Sequence, residues 1–246
     1  MRIHPGLILA AGRSGSEWCG TVQPAFQGFG VLTKYFKPVL LVLLGLVLAA
    51  APASAAPSHV ILAVGDSLTA GYGLPQDQSF PAQLQAALKA RGMEARVINA
   101  GVSGDTSRDG RARLDWVLSG LDAPPGLVIL ELGANDALRG LDPAETRANL
   151  AAILATLKAR KLKVLLEGMK APPNMGPRYA RAFNGIYPAL AKAFHVALDP
   201  FYLAGVAAEP GLNQADGMHP NARGVAVIVK RLAPDVARLL AARPKP

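Results

Sequence analysis

Residues 59–69 read HVILAVGDSLT and join an aliphatic run to a polar turn. The run from His59 to Val64 is short and almost wholly apolar, which is typical of a strand buried on both faces of a sheet. Gly65, Asp66 and Ser67 follow at once and are residues that favour a turn leading into a helix. The stretch therefore predicts a buried strand that ends in a polar strand-to-helix turn.

The same alternation continues along the chain. Further strands are predicted at 95–100, 127–132, 163–167 and 196–199. Amphipathic stretches predict helices at 80–89, 108–118, 143–159, 179–193 and about 222–242, the last with a kink at Pro234. This order predicts an α/β three-layer sandwich, with a five-stranded, mostly parallel sheet, helices on both faces and working residues at the carboxyl ends of the strands.

Composition restricts the class of protein. The chain has 246 residues, of which 51% are hydrophobic and 17% are charged, so it can bury enough apolar surface to fold. The single cysteine, Cys19, excludes a disulfide scaffold. No Gly-Ser or charge-rich linker divides the later part of the chain, and we therefore expect one domain over residues 57–246.

The N-terminal part has the features of a targeting segment. Residues 39–50 form an uncharged apolar run, with Lys34 and Lys37 before it and small residues, among them Ala53 and Ala55, after it. This order predicts a cleaved signal peptide over residues 34–56 and a periplasmic or secreted protein. The alternative is a retained membrane anchor, but such an anchor needs roughly 20 apolar residues, more than the run at 39–50 contains. Residues 1–33 are interpreted as an extension that is either untranslated or disordered.

The net charge of +9 raises the question of an anionic partner. Removal of residues 1–56 takes away four basic residues and one acidic residue and leaves +6. The remaining basic residues are scattered, without the aromatic stripe that accompanies nucleic-acid binding, so we expect no nucleic-acid partner. A transient contact with an anionic membrane surface stays open. A monomer or weak dimer is expected.

Candidate catalytic residues lie in four short motifs, each at a strand end or in a loop. Ser67 can serve as a nucleophile, His219 as its base and Asp216 as the carboxylate that orients the imidazole. Backbone N–H groups of Ser67 and Gly104, with the Asn135 side chain, can form an oxyanion hole. Read singly, Ser67 could be a helix N-cap and Asp216 or Asn135 a turn residue; their joint placement favours catalysis.

These blocks resemble the GDSL or SGNH hydrolase superfamily, whose name gives the Ser, Gly, Asn and His of four motifs. Within it, the sequences GDSLTAGY from Gly65, SGDTS from Ser103, ELGANDALRG from Glu131 and DGMHP from Asp216 resemble a bacterial periplasmic subgroup. That subgroup contains multifunctional thioesterases, lysophospholipases and arylesterases. The resemblance implies a serine esterase acting on lysophospholipids, aryl esters, short or medium acyl esters and acyl thioesters.

The chain departs from the family pattern beside the expected site. Ala134 and Ala137 stand where the family has glycine, which should stiffen a loop thought to move on substrate binding. Ala171 stands where a bulkier aliphatic residue is familiar, so the preferred acyl chain is left open. Residues expected to bind substrate are Leu138, Met169, Ala171 and Pro172, although such residues could equally cap the core.

Other functions are weighed against the esterase. A carbohydrate O-acetyl esterase of the same superfamily is the alternative enzyme. A flavodoxin-like phosphate-binding module is disfavoured because GxGxxG and P-loop patterns are absent, and an α/β-hydrolase because GxSxG is absent. Asp66 is interpreted as a turn carboxylate, and Asp105 and Asp136 as hydrogen-bond acceptors that order their loops. No metal or other cofactor is expected, since no cluster has metal-ligand spacing.

Overall fold

The structure, a computed structural model, describes residues 59–242. The predicted N-terminal extension and signal peptide lie outside the described residues, and so do residues 57, 58 and 243–246 of the predicted domain. Within residues 59–242, no helix is both long and apolar enough to cross a membrane.

Five parallel strands form one sheet in the order β2-β1-β3-β4-β5. They are β1 (His59–Gly65), β2 (Ala95–Gly101), β3 (Leu127–Glu131), β4 (Val164–Glu167) and β5 (Ala197–Asp199). Every predicted strand is confirmed to within a residue or two. β3 and β4 are buried throughout and β1 from Ile61 onward, because helices cover both faces of the sheet.

Eight α-helices occur in the described part of the chain. They are α1 (Ser67–Ala70), α2 (Phe80–Lys89), α3 (Ser107–Ser119), α4 (Ala134–Leu138), α5 (Pro143–Ala159), α6 (Gly176–Asn184), α7 (Ile186–Phe194) and α8 (Ala222–Ala241). Short 3₁₀ turns occupy Gln76–Gln78, Pro173–Met175 and Pro210–Leu212. Helix α2 packs against α8, while α5 packs against both α3 and α7. The two groups form the outer layers of the predicted sandwich.

Two helix predictions need correction. The single helix predicted at 179–193 is two helices that meet at Gly185. Pro188 has no N–H to donate to the carbonyl four residues earlier, and the backbone bonds on either side of Gly185 are long, at 3.3 and 3.4 Å. Short helices α1 and α4 lie where only turns were predicted.

The chain order of the strands locates the functional edge of the sheet. The chain passes from β1 to β2 on one side and then crosses to β3 on the other side of β1. In open α/β sheets, the crevice outside the carboxyl ends of the strands at such a reversal is the usual ligand site. Ser67 follows β1 and Asn135 follows β3, so both lie at this crevice.

Candidate active site

Ser67 is the first residue of α1 and follows directly on the turn that ends β1. The N-cap of this helix is Asp66, whose Oδ1 accepts a hydrogen bond of 3.0 Å from the backbone N–H of Leu68. The capping role considered for Ser67 is thus filled by its neighbour. The backbone N–H of Ser67 lies in the first turn of the helix, where N–H groups have no partner within the helix. This N–H is available to a substrate oxygen.

The predicted triad residues lie within hydrogen-bond distance of one another. His219 Nε2 is 3.0 Å from Ser67 Oγ, and His219 Nδ1 is 2.6 Å from Asp216 Oδ2. Asp216 Oδ1 also accepts from the backbone N–H groups of Met218 and His219, at 2.9 and 3.0 Å. Bonds from the backbone and side chain of His219, and then from Met218, lower the pKa of Asp216 to about 2. Asp216 is therefore ionised at neutral pH and can fix the tautomer of His219.

The loop that carries His219 is fastened at both ends. Asn213 and Pro220 form an isolated antiparallel bridge, and Gln214 N–H donates to the His219 carbonyl at 2.8 Å. The Gln214 side chain donates to the Tyr72 carbonyl at 2.7 Å, and the Tyr72 ring lies 4.7 Å from the His219 ring. Tyr72, which was not among the predicted site residues, therefore links the histidine loop to the turn that follows α1.

Asn135 lies on α4 with its side chain beside Ser67. Its Nδ2 donates to the Asp105 carbonyl at 2.9 Å and to Asp66 Oδ2 at 3.2 Å. The longer bond is the weaker one, so its hydrogen is the one that can turn to a developing oxyanion. The Asn135 amide is thus positioned by two acceptors from the two neighbouring strand-end loops.

Gly104 lies in the loop after β2, next to the carbonyl that receives the Asn135 amide. It has a φ of +89°, a conformation that favours glycine, and its carbonyl accepts from Arg139 Nη2 at 2.7 Å. Gly104 does not line the cleft described below, although Ser67 and Asn135 do. The structure therefore brings two of the three predicted oxyanion donors to the cleft and leaves Gly104 one residue from the carbonyl that holds Asn135.

Asp66 differs sharply from Asp216 in its surroundings. Its side chain is fully buried, and burial raises its pKa to about 6, against hydrogen bonds from Leu68 and Glu131, the nearby His219 and the Asn135 amide, which lower it. Asp66 caps α1 and accepts from Asn135, in agreement with its interpretation as a turn carboxylate.

A cleft of about 440 Å³ opens beside Ser67 and His219. The four residues predicted to bind substrate all line it: Leu138, Met169, Ala171 and Pro172. Sequence reasoning missed a further wall contributed by the segment after β5, which includes Phe201, Leu203, Ala207 and Ala208. That wall is mostly apolar, so the cleft suits an acyl chain more than a polar sugar.

Two aspartates order the loops behind this edge. Asp136 accepts from the Ser107 N–H at 2.8 Å, from the Ser107 hydroxyl at 2.5 Å and from the Thr146 hydroxyl at 3.0 Å. Asp105 pairs with Arg113 at 2.5 Å. Both predictions of hydrogen-bond acceptors are confirmed by these contacts. In the described part of the chain, no group of three or more His, Cys, Asp and Glu is arranged to hold a metal ion.

Known proteins resemble this chain in both sequence and fold. Residues 63–227 match the GDSL-like Lipase/Acylhydrolase family. Esterase TesA of Pseudomonas aeruginosa is 43% identical over 185 residues, 75% of this chain and 91% of that protein. Thioesterase 1/protease 1/lysophospholipase L1 of Escherichia coli K12 is 42% identical over 167 residues, 68% of this chain and 78% of that protein. The crystal structure of AlinE4, an SGNH-hydrolase family esterase, has a TM-score of 0.65 and 52% identity over 77% of this chain and 100% of its own.

Proposed function

Because the chain belongs to the GDSL-like lipase/acylhydrolase family and is a serine esterase that hydrolyses carboxylic esters, we propose that Ser67, His219 and Asp216 are its catalytic triad. The observation that carries this proposal is the pair of contacts at 3.0 and 2.6 Å that joins the three side chains in series. Nucleophile, base and orienting carboxylate are recognised by such geometry and not by their order in the chain.

In the first half of the reaction, Ser67 Oγ attacks the acyl carbonyl carbon while its proton passes to His219 Nε2. The carbonyl oxygen becomes an oxyanion, which receives hydrogen bonds from the Ser67 N–H and the Asn135 amide, the two proposed donors that line the cleft. The bond to the leaving alcohol or thiol then breaks, and the imidazolium gives its proton to that group. An acyl-enzyme on Ser67 remains.

In the second half, water attacks the acyl-enzyme and gives its proton to His219. The new oxyanion receives hydrogen bonds from the same donors. The bond between the acyl carbon and Ser67 Oγ then breaks, and His219 returns the proton to Ser67. Asp216, held ionised by its hydrogen bonds, stabilises the imidazolium in both halves. The carboxylic acid leaves and the triad is restored.

Lysophospholipids, aryl esters and short or medium acyl esters are the substrates we propose, with acyl thioesters as further ones. The apolar walls of the cleft around Met169, Ala171 and Phe201 support an acyl chain in this site. Leu138 and Met218 line the cleft and are also about half exposed, at 54% and 51%. They extend the apolar surface from the cleft to the outside of the molecule.

The experiment that tests the triad compares Ser67→Ala with wild type on p-nitrophenyl esters of graded chain length and on lysophosphatidylcholine. We expect kcat to fall by about 10⁴-fold or more, with the fold intact by circular dichroism. Ser103→Ala, in the neighbouring strand-end loop, is the matched control and should keep wild-type activity. Equal activity of Ser67→Ala and wild type would refute the serine mechanism.

The exposed apolar residues at this edge support a transient contact with lipid aggregates. Of the six large hydrophobic residues that are exposed in the described part of the chain, four lie at the carboxyl edge: Tyr72, Val102, Leu138 and Met218. Val102→Ser should weaken sedimentation with anionic vesicles. Trp116→Ser, in the last turns of α3 and at a more exposed side chain of 79%, should not. Equal sedimentation of Val102→Ser and wild type would argue against this contact.

We also propose export to the periplasm or the outside of the cell, with residues 34–56 as the signal peptide. The support is the basic, apolar and small-residue order of that segment. Mass spectrometry of the protein purified from expressing bacteria should give an N-terminus near Ala56 or Pro57. A purified chain that retains the apolar run would refute cleavage.

A further inference from the structure

Glu131 is an acidic residue at a place where sequence patterns favour an apolar one. It is the last residue of β3, it follows four buried aliphatic residues, and none of its surface is exposed. Its register partner on β4 is Glu167, which is paired in turn with Asp199 on β5. A row of carboxyl groups therefore runs along the carboxyl edge of the sheet. Only Glu131 in this row reaches the turn that carries Ser67.

The contacts of Glu131 lie on both sides of Ser67 in the sequence. Its Oε2 accepts from the Thr69 hydroxyl at 2.8 Å and from the Asp66 backbone N–H at 3.3 Å. Gly65 provides the room for this arrangement, because a Cβ there would lie 2.0 Å from Thr69 Oγ1 and 2.6 Å from Glu131 Oε2. One carboxyl group thus fastens the residue before Ser67 and the residue two after it.

The hydrogen bonds continue from this turn to the oxyanion donor. Asp66, whose N–H bonds to Glu131, accepts from Asn135 Nδ2 through its own carboxylate at 3.2 Å. Ser67 and Asn135 are carried by different strand ends, β1 and β3, and Glu131 is the last residue of β3. Glu131 therefore joins the element that carries the nucleophile to the element that carries the amide.

The charge state of Glu131 is consistent with such a role. Burial, and then the neighbouring charge of Asp66, raise the pKa of Glu131 well above its usual value. The neutral acid is therefore favoured over the carboxylate at this position. It can accept two hydrogen bonds without placing a second full charge beside Asp66.

We propose that Glu131 is a positioning residue of this active site, which holds the Ser67 turn through Asp66 and Thr69 and, through Asp66, the Asn135 amide. The inference rests on the proposed function of Ser67 and Asn135. It assigns Glu131 no contact with substrate, because its hydrogen bonds are made to the turn and not to the cleft.

The test compares Glu131→Gln with Glu131→Leu. Glutamine keeps the accepting oxygen and resembles the neutral acid, so we expect kcat within a few-fold of wild type. Leucine removes both hydrogen bonds, and a misplacement of about 1 Å should lower kcat by about 10- to 100-fold with little change in KM. The rate at which an organophosphonate ester labels Ser67, measured per folded molecule, should fall in parallel.

Glu167 offers the matched control for these variants. It is equally buried, it lies one strand away at the same level of the sheet, and neither of its carboxyl oxygens makes a hydrogen bond to residues 66–69. Glu167→Leu should leave kcat and the labelling rate at wild-type values, even if its stability changes. Equal losses in Glu131→Leu and Glu167→Leu, or no loss in Glu131→Leu, would overturn the proposal.

Thr69 supplies a second test that does not depend on the folding of Glu131→Leu. Thr69→Val removes the hydroxyl bonded to Glu131 at constant shape, and one lost hydrogen bond should lower kcat by about 2- to 10-fold. Thr69→Ser keeps the hydroxyl and should retain wild-type kcat. Wild-type kcat in Thr69→Val would also overturn the positioning role. Failure of the triad itself would appear separately, as activity that persists in Ser67→Ala.

Discussion

The two sides of the active site are built in opposite ways. The nucleophile side, formed by the turn at Asp66–Thr69 and by Glu131, is buried apart from Ser67, which is partly exposed. The histidine side, the loop from Asn213 to Pro220, lies largely at the surface and is fastened by hydrogen bonds between its ends. The nucleophile is thus positioned by the core, while the base is positioned by a surface loop anchored to it.

The carboxylates of the two sides show what this difference does. Burial raises the pKa of Asp66 to about 6, whereas hydrogen bonds from His219 and Met218 lower that of Asp216 to about 2. A permanent negative charge is easier to maintain where water reaches it. The carboxylate that must stay ionised beside the imidazolium therefore belongs to the exposed loop, and the one that holds a turn and an amide belongs to the buried side.

The largest effect is expected on the histidine side, from Asp216→Asn. The amide can still accept from the backbone of Met218, but its NH₂ would face His219 Nδ1 and turn the proton of the imidazole toward Ser67. We expect kcat to fall by up to about 10⁴-fold through this wrong tautomer, measured on a p-nitrophenyl ester. An unchanged kcat would assign the orienting role to another residue.

The same substitution on the buried side, Asp66→Asn, should act more weakly on catalysis. It keeps an acceptor for the Leu68 N–H and removes the ionised acceptor of the Asn135 amide. When an oxyanion donor is removed, kcat falls by roughly 10²- to 10³-fold. Here the Asn135 amide is kept but misdirected, so we expect a smaller fall in kcat, of about 10- to 100-fold. A fall in kcat as large as that of Asp216→Asn would mean that the two carboxylates do not have the separate roles described above.

Asp66→Asn should also change the pH dependence of stability. The pKa of Asp66 is about 6 in the folded protein, against a usual 3.8. The contribution of Asp66 to the free energy of unfolding is therefore fully present below pH 3.8 and is lost as pH rises through 6. At about 1.4 kcal/mol per pKa unit, this loss is about 3 kcal/mol. Urea unfolding at pH 4 and pH 7 should show the variant gaining up to that amount relative to wild type. Asp235→Asn, on the surface of α8, should show no such gain.

The difference between the two sides also decides what a sequence could predict. The triad residues were predictable because each belongs to a short motif at the end of a strand or before a helix, and the motifs occur in the order of a known family. The strands were predictable from aliphatic runs. Glu131 belongs to such a motif too, but only the structure shows that its carboxyl group makes hydrogen bonds to the turn that carries Ser67.

Elements shorter than two helical turns were the ones that the sequence did not predict. Helices α1 and α4 have four and five residues, too few to show an apolar period. The wall after β5, with Phe201 and Leu203, lies in a segment of turns whose path is set by tertiary contacts, among them the bonds from Arg231 to the carbonyls of Phe201 and Tyr202. No local sequence pattern predicts such a surface.

The smallest effect is expected from Ala171→Leu, which changes the cleft and neither side of the triad. Ala171 lines the cleft, and its N–H is held by Asn184 Oδ1 at 2.9 Å, so a larger side chain would project from a fixed backbone. We expect kcat/KM for a decanoyl ester to fall by about 10-fold and that for an acetyl ester to stay constant. Ala112→Leu, on the exposed face of α3, is the control. An equal fall in kcat/KM for all chain lengths would show that residue 171 supports the triad and does not bind the acyl chain. Residues that position the triad and residues that bind substrate would then not be separate in this cleft.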